Sequence, residues 1–372
     1  MPINKQRVII SVTNDLVTDQ RVHKIVISLI RLGYDIILVG RILPNSLSIN
    51  RTYPTKRLKL FFNTGFLFYA EYNIRLFFYL LFNSANIYLS NDLDTLPANY
   101  IASIIKRKKL VYDSHEYFTE VPELINRKNV KWFWETIERF MLPNIQYAYT
   151  VCQSIADIYY QKYGIKMSVI RNIPLCNISQ IKSKKLLLNL KNSNIILYQG
   201  SLNIGRGIEQ MIDAMQYIEE ATFVIIGDGD NKDAIVSKIK NCKYNERIIL
   251  VGRLPFNEIF SYTKLASIGI SLEENLGLNY YYSLPNKFFD YIRAEVPILA
   301  SRLPEIEKII NNYKIGCFID NHNPKHIAEK IKYMLNKIHS GSGWDENLKK
   351  ASKELCWENE ELVLESIFKS KF

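Results

Sequence analysis

The sequence has few cysteines, and their spacing is not that of a metal or redox motif. Its five cysteines, at positions 152, 176, 242, 317 and 356, lie far apart, and no CxxC or Cys/His ligand spacing occurs. This excludes zinc ribbons and thioredoxin-type motifs of the usual kind. An odd and scattered set predicts reduced thiols, most of them in the core, as is typical of cytosolic proteins.

Long hydrophobic runs are also missing. The N-terminus, MPINKQRVIISVTNDL, lacks the apolar stretch of a signal peptide, and no run reaches the ~20 residues of a spanning helix. The most apolar region, 58–82, is interrupted by Glu71 and Arg75. It predicts either a buried or half-buried helix or a membrane-surface helix, with residues 51–82 contacting anionic lipid. We therefore expect a cytoplasmic protein, with the inner face of the cytoplasmic membrane as an open alternative.

Nucleic-acid-binding motifs are absent although the chain is basic. The formal charge is +11, and its lysines and arginines are spread along the sequence rather than clustered. A basic protein of this kind has three candidate partners, namely nucleic acid, anionic membrane and anionic small molecules. The spread of charge favours the last two, and we expect no nucleic-acid partner.

What the sequence does contain is a regular alternation of strand and helix patterns. Apolar runs rich in β-branched residues are each followed by a helical pattern, which predicts parallel βαβ units and doubly wound sheets. The predicted strands are 7–12, 35–40, 86–90, 109–113, 148–152 and 167–172, then 194–200, 222–230, 247–253, 267–274, 296–301 and 315–320.

The alternation of strand and helix patterns is interrupted once and then resumes, which predicts two α/β domains in the 372 residues. The first spans 1–175, a linker spans 176–193, and the second domain spans 194–347. Residues 348–372 are strongly helical and are predicted to pack back across the domains. Ligands of open α/β sheets bind beyond the carboxyl ends of the strands, so we expect the functional residues to follow the predicted strands.

Two glycine-rich turns follow strands of the second domain. In GSLNIGRG, 200–207, three glycines allow a ligand to approach the backbone, and Arg206 places a cation at a helix start. The spacing matches neither GxGxxG nor a P-loop, so an ordinary turn with a surface arginine is the alternative. The second turn, GDGDN at 227–231, indicates either a ligand-approach loop or a purely structural turn.

Cations and carboxylates follow later strands of the same domain. Lys287, in SLPNKFF, lies at a predicted helix start, which indicates an anion site or a basic residue that merely lies near a cap. Glu273 and Glu274 can accept hydrogen bonds from sugar hydroxyls or belong to a solvated turn. Asp290 either binds a ligand or is an exposed helix carboxylate.

One histidine ends a strand of the first domain. His115, in YDSHEYFTE, can act as an acid, a base or a polar contact near neutral pH, or as a hydrogen-bonded structural residue. HExxE is not the HExxH of zinc proteases, so no metal is predicted. The segment WETIERF, 134–140, predicts a solvated helix with an acidic face.

Taken in order, these segments resemble retaining glycosyltransferases of family 4, which have the GT-B architecture. The resemblance rests on DQRV with SLIRLGYDIILVGR, NDLDTLP at 91–97, VYDSHEYFTEVPEL at 111–124, LYQGSLNIGRGIEQMIDAM and LPNKFFDYIRAEVPILAS. It implies two Rossmann-like domains that face an interdomain cleft. The N-terminal domain would bind the acceptor, and the C-terminal domain would bind a nucleotide sugar.

The resemblance also assigns roles to residues. Arg206 and Lys287 would contact the donor diphosphate, His115 would lie near the transferred sugar, and Glu274 would lie near the donor sugar. Asp290 would bind ribose; its distance from Glu274 in sequence (290 − 274 = 16) exceeds that in the family because NYYYSLPN intervenes. Ser201 stands where the family has an arginine. The other predicted donor-binding residues are Gly200, Gly227, Asp228, Arg253, Glu273, Gly277, Leu278 and Asn286.

The implied reaction is transfer of a sugar from a UDP- or GDP-sugar to a hydroxyl, with the anomeric configuration retained and without metal or other cofactor. The implied acceptor is a glycan or lipid-linked glycan in bacterial surface polysaccharide synthesis, such as lipopolysaccharide or capsule. Two alternatives stay open. One is a nucleotide-sugar 2-epimerase or hydrolase on a similar scaffold, and the other is a degenerate protein that binds a nucleotide sugar without catalysis.

Overall fold

The structure is a computed structural model that describes residues 5–17, 19–176, 194–341 and 343–369. The chain folds into two compact units. Unit 1 comprises Met1–Arg171 and Glu361–Phe372, and unit 2 comprises Asn172–Glu360. Apart from Cys176, the predicted linker lies outside the described residues.

Unit 1 alternates strands and helices as the hydrophobic pattern predicts. Its elements are β1 Arg7–Asp15, α1 Gln20–Arg31, β2 Asp35–Ile42, β3 Thr55–Lys59, α2 Gly65–Phe82, β4 Ile87–Asn91, α3 Leu96–Lys106, β5 Lys109–Ser114, α4 Pro122–Ile125, α5 Lys128–Met141, β6 Tyr147–Thr150, α6 Gln153–Tyr163 and β7 Ser168–Val169. The strands form one parallel sheet in the order β3-β2-β1-β4-β5-β6-β7.

Over the part of it that the structure describes, unit 2 repeats this plan with six strands. Its elements are β8 Asn194–Gln199, α7 Ile208–Ala214, β9 Ala221–Ile226, α8 Lys232–Asn241, β10 Ile248–Gly252, α9 Phe256–Thr263, β11 Ile268–Ser271, α10 Leu278–Tyr281, α11 Asn286–Arg293, β12 Ile298–Ser301, α12 Pro304–Tyr313, β13 Gly316–Ile319, α13 Pro324–His339, α14 Asp345–Glu354 and α15 Trp357–Lys369. The parallel order is β10-β9-β8-β11-β12-β13. Helix α15 begins in unit 2, and its later residues belong to unit 1.

The two doubly wound parallel sheets predicted from the sequence are confirmed. Their central strands are buried on both faces, which explains why they were visible as continuous apolar runs. Strand β3 was missed because its sequence, TKRLK, is mostly polar; it lies at the edge of the sheet and buries only Leu58.

Helix α2 confirms that the apolar segment 58–82 contains a half-buried helix, and its contact with membrane stays a prediction. Its residues Phe68, Tyr72, Leu76 and Leu80, spaced four apart, are buried against the sheet. Other apolar side chains on the helix and the preceding loop are exposed, so the segment is a half-buried helix with a free apolar face: Phe61, Phe62, Phe66, Leu67, Ile74, Phe78 and Phe82. Among the described residues, no helix combines the length and apolar character needed to cross a bilayer.

Helix α5 is less solvated than its acidic sequence predicted. Trp134 and Glu138 of the segment WETIERF are buried, so the expectation of a solvated acidic face is wrong for this position. Glu138 accepts hydrogen bonds from the hydroxyls of Tyr159, at 3.2 Å, and Tyr163, at 2.8 Å. These donors offset the loss of water around the carboxylate.

The expectation of five free thiols is also wrong. Cys176 and Cys356 form a disulfide across 180 residues of sequence, with their Cα atoms 5.3 Å apart. Two further bonds hold the same segments together, from Trp357 N–H to the Pro174 carbonyl and from Cys176 N–H to the Glu358 carboxylate, each 2.9 Å at its shortest. Sequence spacing could not show this pair because it depends on the two chain ends of unit 2 meeting in space. Among the described residues, the other three cysteines form no disulfide.

Candidate active site

The strand order of unit 2 reverses between β8 and β11, which are neighbours in the sheet. At such a switch point the loops after the two strands diverge and leave a crevice, where open α/β sheets bind ligands. Gly200 and Arg206 follow β8, and Glu273 follows β11. The structure therefore brings these predicted residues to the place where the fold favours a site.

A buried ion cluster occupies this switch point. Lys287, from the first turn of α11, places its Nζ 2.7 Å from Oε1 of Glu273, and the two side chains are 6% and 0% exposed. Arg206 Nη1 lies 3.9 Å from the same oxygen. The second oxygen of Glu273 accepts a 2.7 Å hydrogen bond from the Ser271 hydroxyl. The sequence predicted an anion site at this helix start or a basic residue that merely lies near a cap; the structure turns Lys287 inward to pair with Glu273.

The ion pair opposes the effect of burial on its carboxylate. Burial by itself would raise the pKa of Glu273, but Lys287, Arg206 and the Ser271 hydroxyl outweigh it and hold that pKa below the ordinary value. Burial lowers the pKa of Lys287, although Glu273 opposes the shift. Two cations and one carboxylate leave a net charge of +1, so the crevice favours an anion.

Arg206 retains hydrogen-bonding capacity. Its side chain is 23% exposed, and its guanidinium stacks over the Tyr280 ring with Cζ 4.7 Å from the centroid. Its Nε is buried without a hydrogen-bond partner among the described residues. Because 3.9 Å is too long for a hydrogen bond to Glu273, the guanidinium has donors available for an incoming anion.

Two glycines of the turns have backbone angles that favour glycine, and one of them also makes a close backbone contact. Gly200 and Gly227 have φ values of +133° and +151°. A Cβ on Gly227 would lie 1.8 Å from the Gly200 carbonyl oxygen, so no other residue fits there. This contact brings the turns after β8 and β9 together beside Arg206.

The remaining predicted residues of unit 2 differ in their exposure. Glu274 is half-buried and accepts a 3.1 Å hydrogen bond from Gln210 Nε2, not from Lys287. Asp290 is half-buried and accepts a 2.9 Å bond from Gln199 Nε2. The exposed ones are Gly200, Ser201, Asp228, Arg253, Leu278 and Asn286, and the half-buried ones are Gly227 and Gly277.

Unit 1 has a second polar cluster at its own switch point, between β1 and β4. His115, after β5, lies between two carboxylates: its Nδ1 is 3.2 Å from Asp92 Oδ2, and its Nε2 is 3.0 Å from Asp113 Oδ2. Asp113 is fully buried and is also paired with Arg21 at 2.8 Å. Nearby, the Thr13 hydroxyl donates to Asp94 at 2.5 Å.

Charge coupling governs protonation in this second cluster. Burial would lower the pKa of His115, but Asp113 and Asp92 raise it to about 9. Burial raises the pKa of Asp92 to about 7 against the opposing effect of His115. The roles of Asp92, Asp113 and Arg21 were missed from the sequence, although all three lie in the segments NDLDTLP, VYDSHEYFTEVPEL and DQRV that carry the resemblance.

The described residues bring one set of potential metal ligands together, namely Cys176, Cys356 and Glu358. The disulfide uses both sulfur atoms, and the Glu358 carboxylate accepts the Cys176 N–H. These residues therefore do not fit a metal site in this state.

Comparisons with known proteins agree with the two-sheet fold described above. Residues 179–353 match the family model described as glycosyl transferases group 1. A sucrose-phosphate synthase from Thermosynechococcus elongatus superposes with a TM-score of 0.81 at 14% identity, over 98% of this chain and 99% of that one. Anabaena HepE in complex with UDP-glucose gives 0.74 at 14% identity, over 97% and 99%. The chain has the GT-B fold.

One curated relative extends the sequence match. An uncharacterized glycosyltransferase of Methanocaldococcus jannaschii is 26% identical over 221 residues, which are 53% of this GT-B chain and 59% of that protein. The aligned region thus spans less than two thirds of that relative. The resemblance to GT-B glycosyltransferases is confirmed, and its retaining family 4 branch stays a prediction.

Proposed function

We propose that this GT-B chain transfers a sugar from a nucleotide diphosphosugar to a hydroxyl of a glycan or lipid-linked acceptor, with retention of configuration. The observation that carries the proposal is the Arg206–Glu273–Lys287 cluster at the switch point of unit 2, which has net positive charge and an arginine with available donors. The donor would bind unit 2, and the acceptor would bind unit 1.

The chemistry of the leaving group explains why cations are needed. Negative charge develops on the diphosphate as the glycosidic bond breaks, and preorganised cations and N–H donors stabilise it. Arg206 would contact the diphosphate directly. Asn286, at the start of α11, would be a second contact. Lys287, which is paired with the buried Glu273, would contribute positive charge without needing to move.

The same geometry supports a front-face route to retention. A double displacement needs a carboxylate that can reach the anomeric carbon. Glu273 is fully buried and held by Lys287 and Ser271, and Glu274 is held by Gln210. Neither is a free nucleophile in this conformation, which favours deprotonation of the acceptor by the leaving phosphate itself.

A thermal-shift screen with UDP, GDP and their sugar conjugates tests the donor assignment. A ligand that binds only the folded state raises the melting temperature. We expect a clear shift with one diphosphate, UDP being the first candidate because the similar HepE structures include complexes with UDP and UDP-glucose. Arg206→Ala should reduce the shift, whereas Arg302→Ala, an exposed arginine paired with Glu307, should not.

Product analysis then separates the alternatives. A transferase needs an acceptor, an epimerase changes the sugar without one, and a hydrolase releases it to water. No shift with any nucleotide at millimolar concentration would contradict the donor assignment and favour a degenerate binding protein with another ligand.

We also propose peripheral contact with anionic membrane, as a lipid-linked acceptor in surface polysaccharide synthesis requires. The free apolar face of α2 supports this, with Phe61 and Phe82 each 83% exposed. Helix α5 extends it, because the Phe133 ring lies 5.9 Å from Phe66. Residues 51–82 contain five basic side chains and one acidic one, which suits anionic headgroups.

Vesicle flotation tests this contact. A Phe61→Ser/Phe66→Ser variant is expected to bind anionic vesicles at least tenfold more weakly, since each buried Phe contributes on the order of 1.5–3 kcal/mol. Leu362→Ser, which removes an exposed apolar residue of α15, is the matched control and should bind as wild type does. Equal flotation of all three proteins, or none with wild type, would contradict the proposal.

A further inference from the structure

His115 is held more tightly than contact with a sugar alone requires. The Asp92 carboxylate reaches it twice, since Oδ1 accepts the His115 backbone N–H at 2.7 Å and Oδ2 lies 3.2 Å from the ring Nδ1. Asp92 has a φ of +57°, which is uncommon for a residue other than glycine. The Asp92 N–H in turn donates to the Asp113 carbonyl at 2.7 Å, which ties the loops after β4 and β5 together.

The other side of the ring is occupied as well. His115 Nε2 is 3.0 Å from Asp113 Oδ2 and 3.2 Å from Asn91 Oδ1. With a carboxylate on each nitrogen, both nitrogens are best satisfied as N–H donors, and no lone pair is left to accept a proton. Of the roles that the sequence left open, the arrangement is incompatible with that of a general base.

The charges around the ring balance only if it is protonated. Asp113 is neutralised by Arg21 from α1, at 2.8 Å, so Asp92 is the carboxylate left to pair with an imidazolium. Asp94 lies farther along the same loop, where its carboxylate is bonded to Thr13, and Glu116 follows His115.

We propose that Asp92 is a positioning residue for the transfer reaction, which fixes the ring of His115 and keeps it a cation, so that His115 offers the substrate a positive charge rather than a base. This inference rests on the proposed function for its reaction, but the state of the ring can be measured without any turnover.

Histidine-selective ¹³C NMR across pH 5 to 10 measures that state. The chain has five histidines, and His115→Gln identifies the signal. In wild type the His115 signal should remain that of an imidazolium at pH 8. Asp92→Asn should shift its titration down by at least one pH unit, and Asp94→Asn, the matched acidic control without a direct contact to the ring, should shift it less.

Turnover supplies the second readout. Asp92→Asn should lower kcat about tenfold and make activity fall as pH rises above 7, with little change in KM for the donor, and Asp92→Glu should restore part of the rate. A neutral His115 at pH 8 in wild type, an unchanged titration in Asp92→Asn, or full turnover by that variant would each overturn the inference. Absence of turnover in wild type, with the ring still charged at pH 8, would instead count against the proposed function.

Discussion

Replacing Arg206 by alanine is expected to lower kcat/KM about 10²–10³-fold, the usual cost of losing one preorganised donor at a site of developing charge. The reason lies in the structure: the Arg206 Nε has no hydrogen-bond partner among the described residues, and its Nη1 is 3.9 Å from Glu273. The side chain is 23% exposed, so its guanidinium is available to the leaving diphosphate. Steady-state kinetics with the donor found by thermal shift measures the effect.

The matched variants for this experiment are Arg206→Lys and Arg302→Ala. Lysine keeps the charge but not the planar fork, so Arg206→Lys should recover only part of the lost rate. Arg302, paired with Glu307 on the surface, should be dispensable. A kcat/KM of Arg206→Ala within twofold of wild type would remove Arg206 from the diphosphate site.

Replacing Lys287 by methionine is expected to destabilise the protein by about 3–5 kcal/mol, because it leaves a buried carboxylate without its partner. Glu273 is 0% exposed and 2.7 Å from Lys287 Nζ, and the more distant Arg206 cannot replace that contact. Denaturant titration followed by tryptophan fluorescence measures the loss. The partly exposed pair of Lys238 and Asp213 has the same 2.7 Å separation, so Lys238→Met should cost at most about 1 kcal/mol.

The pH dependence gives this prediction a second test. In wild type the pKa of Glu273 is lowered, so its ion pair adds stability above the ordinary value of 4.5 and loses it as the pH falls through the lowered pKa. Without Lys287 the buried carboxyl should have a raised pKa, and stability should then fall as pH rises. Adding Glu273→Gln should recover most of the loss. If Lys287→Met alone unfolds at the wild-type denaturant concentration, the ion pair is not structural.

The site was only partly predictable, for a reason that the two adjacent glutamates illustrate. The sequence placed both Glu273 and Glu274 after the same strand, and the family resemblance gave the donor-sugar role to Glu274. The structure buries Glu273 against Lys287 and leaves Glu274 half-buried beside Gln210. Successive residues point in different directions where a strand ends, and pattern alone does not show which one faces the neighbouring helix.

The two parallel sheets were predictable from the sequence, because central strands buried on both faces must be continuous apolar runs separated by helical patterns. The sequence also placed the glycines and Arg206 at the carboxyl end of β8, where the fold binds ligands. Three features became visible only in the folded chain, namely the Cys176–Cys356 disulfide, the inward turn of Lys287 and the two carboxylates around His115. Each of these depends on which distant segments meet, and such long-range contacts produce no periodic pattern in the sequence.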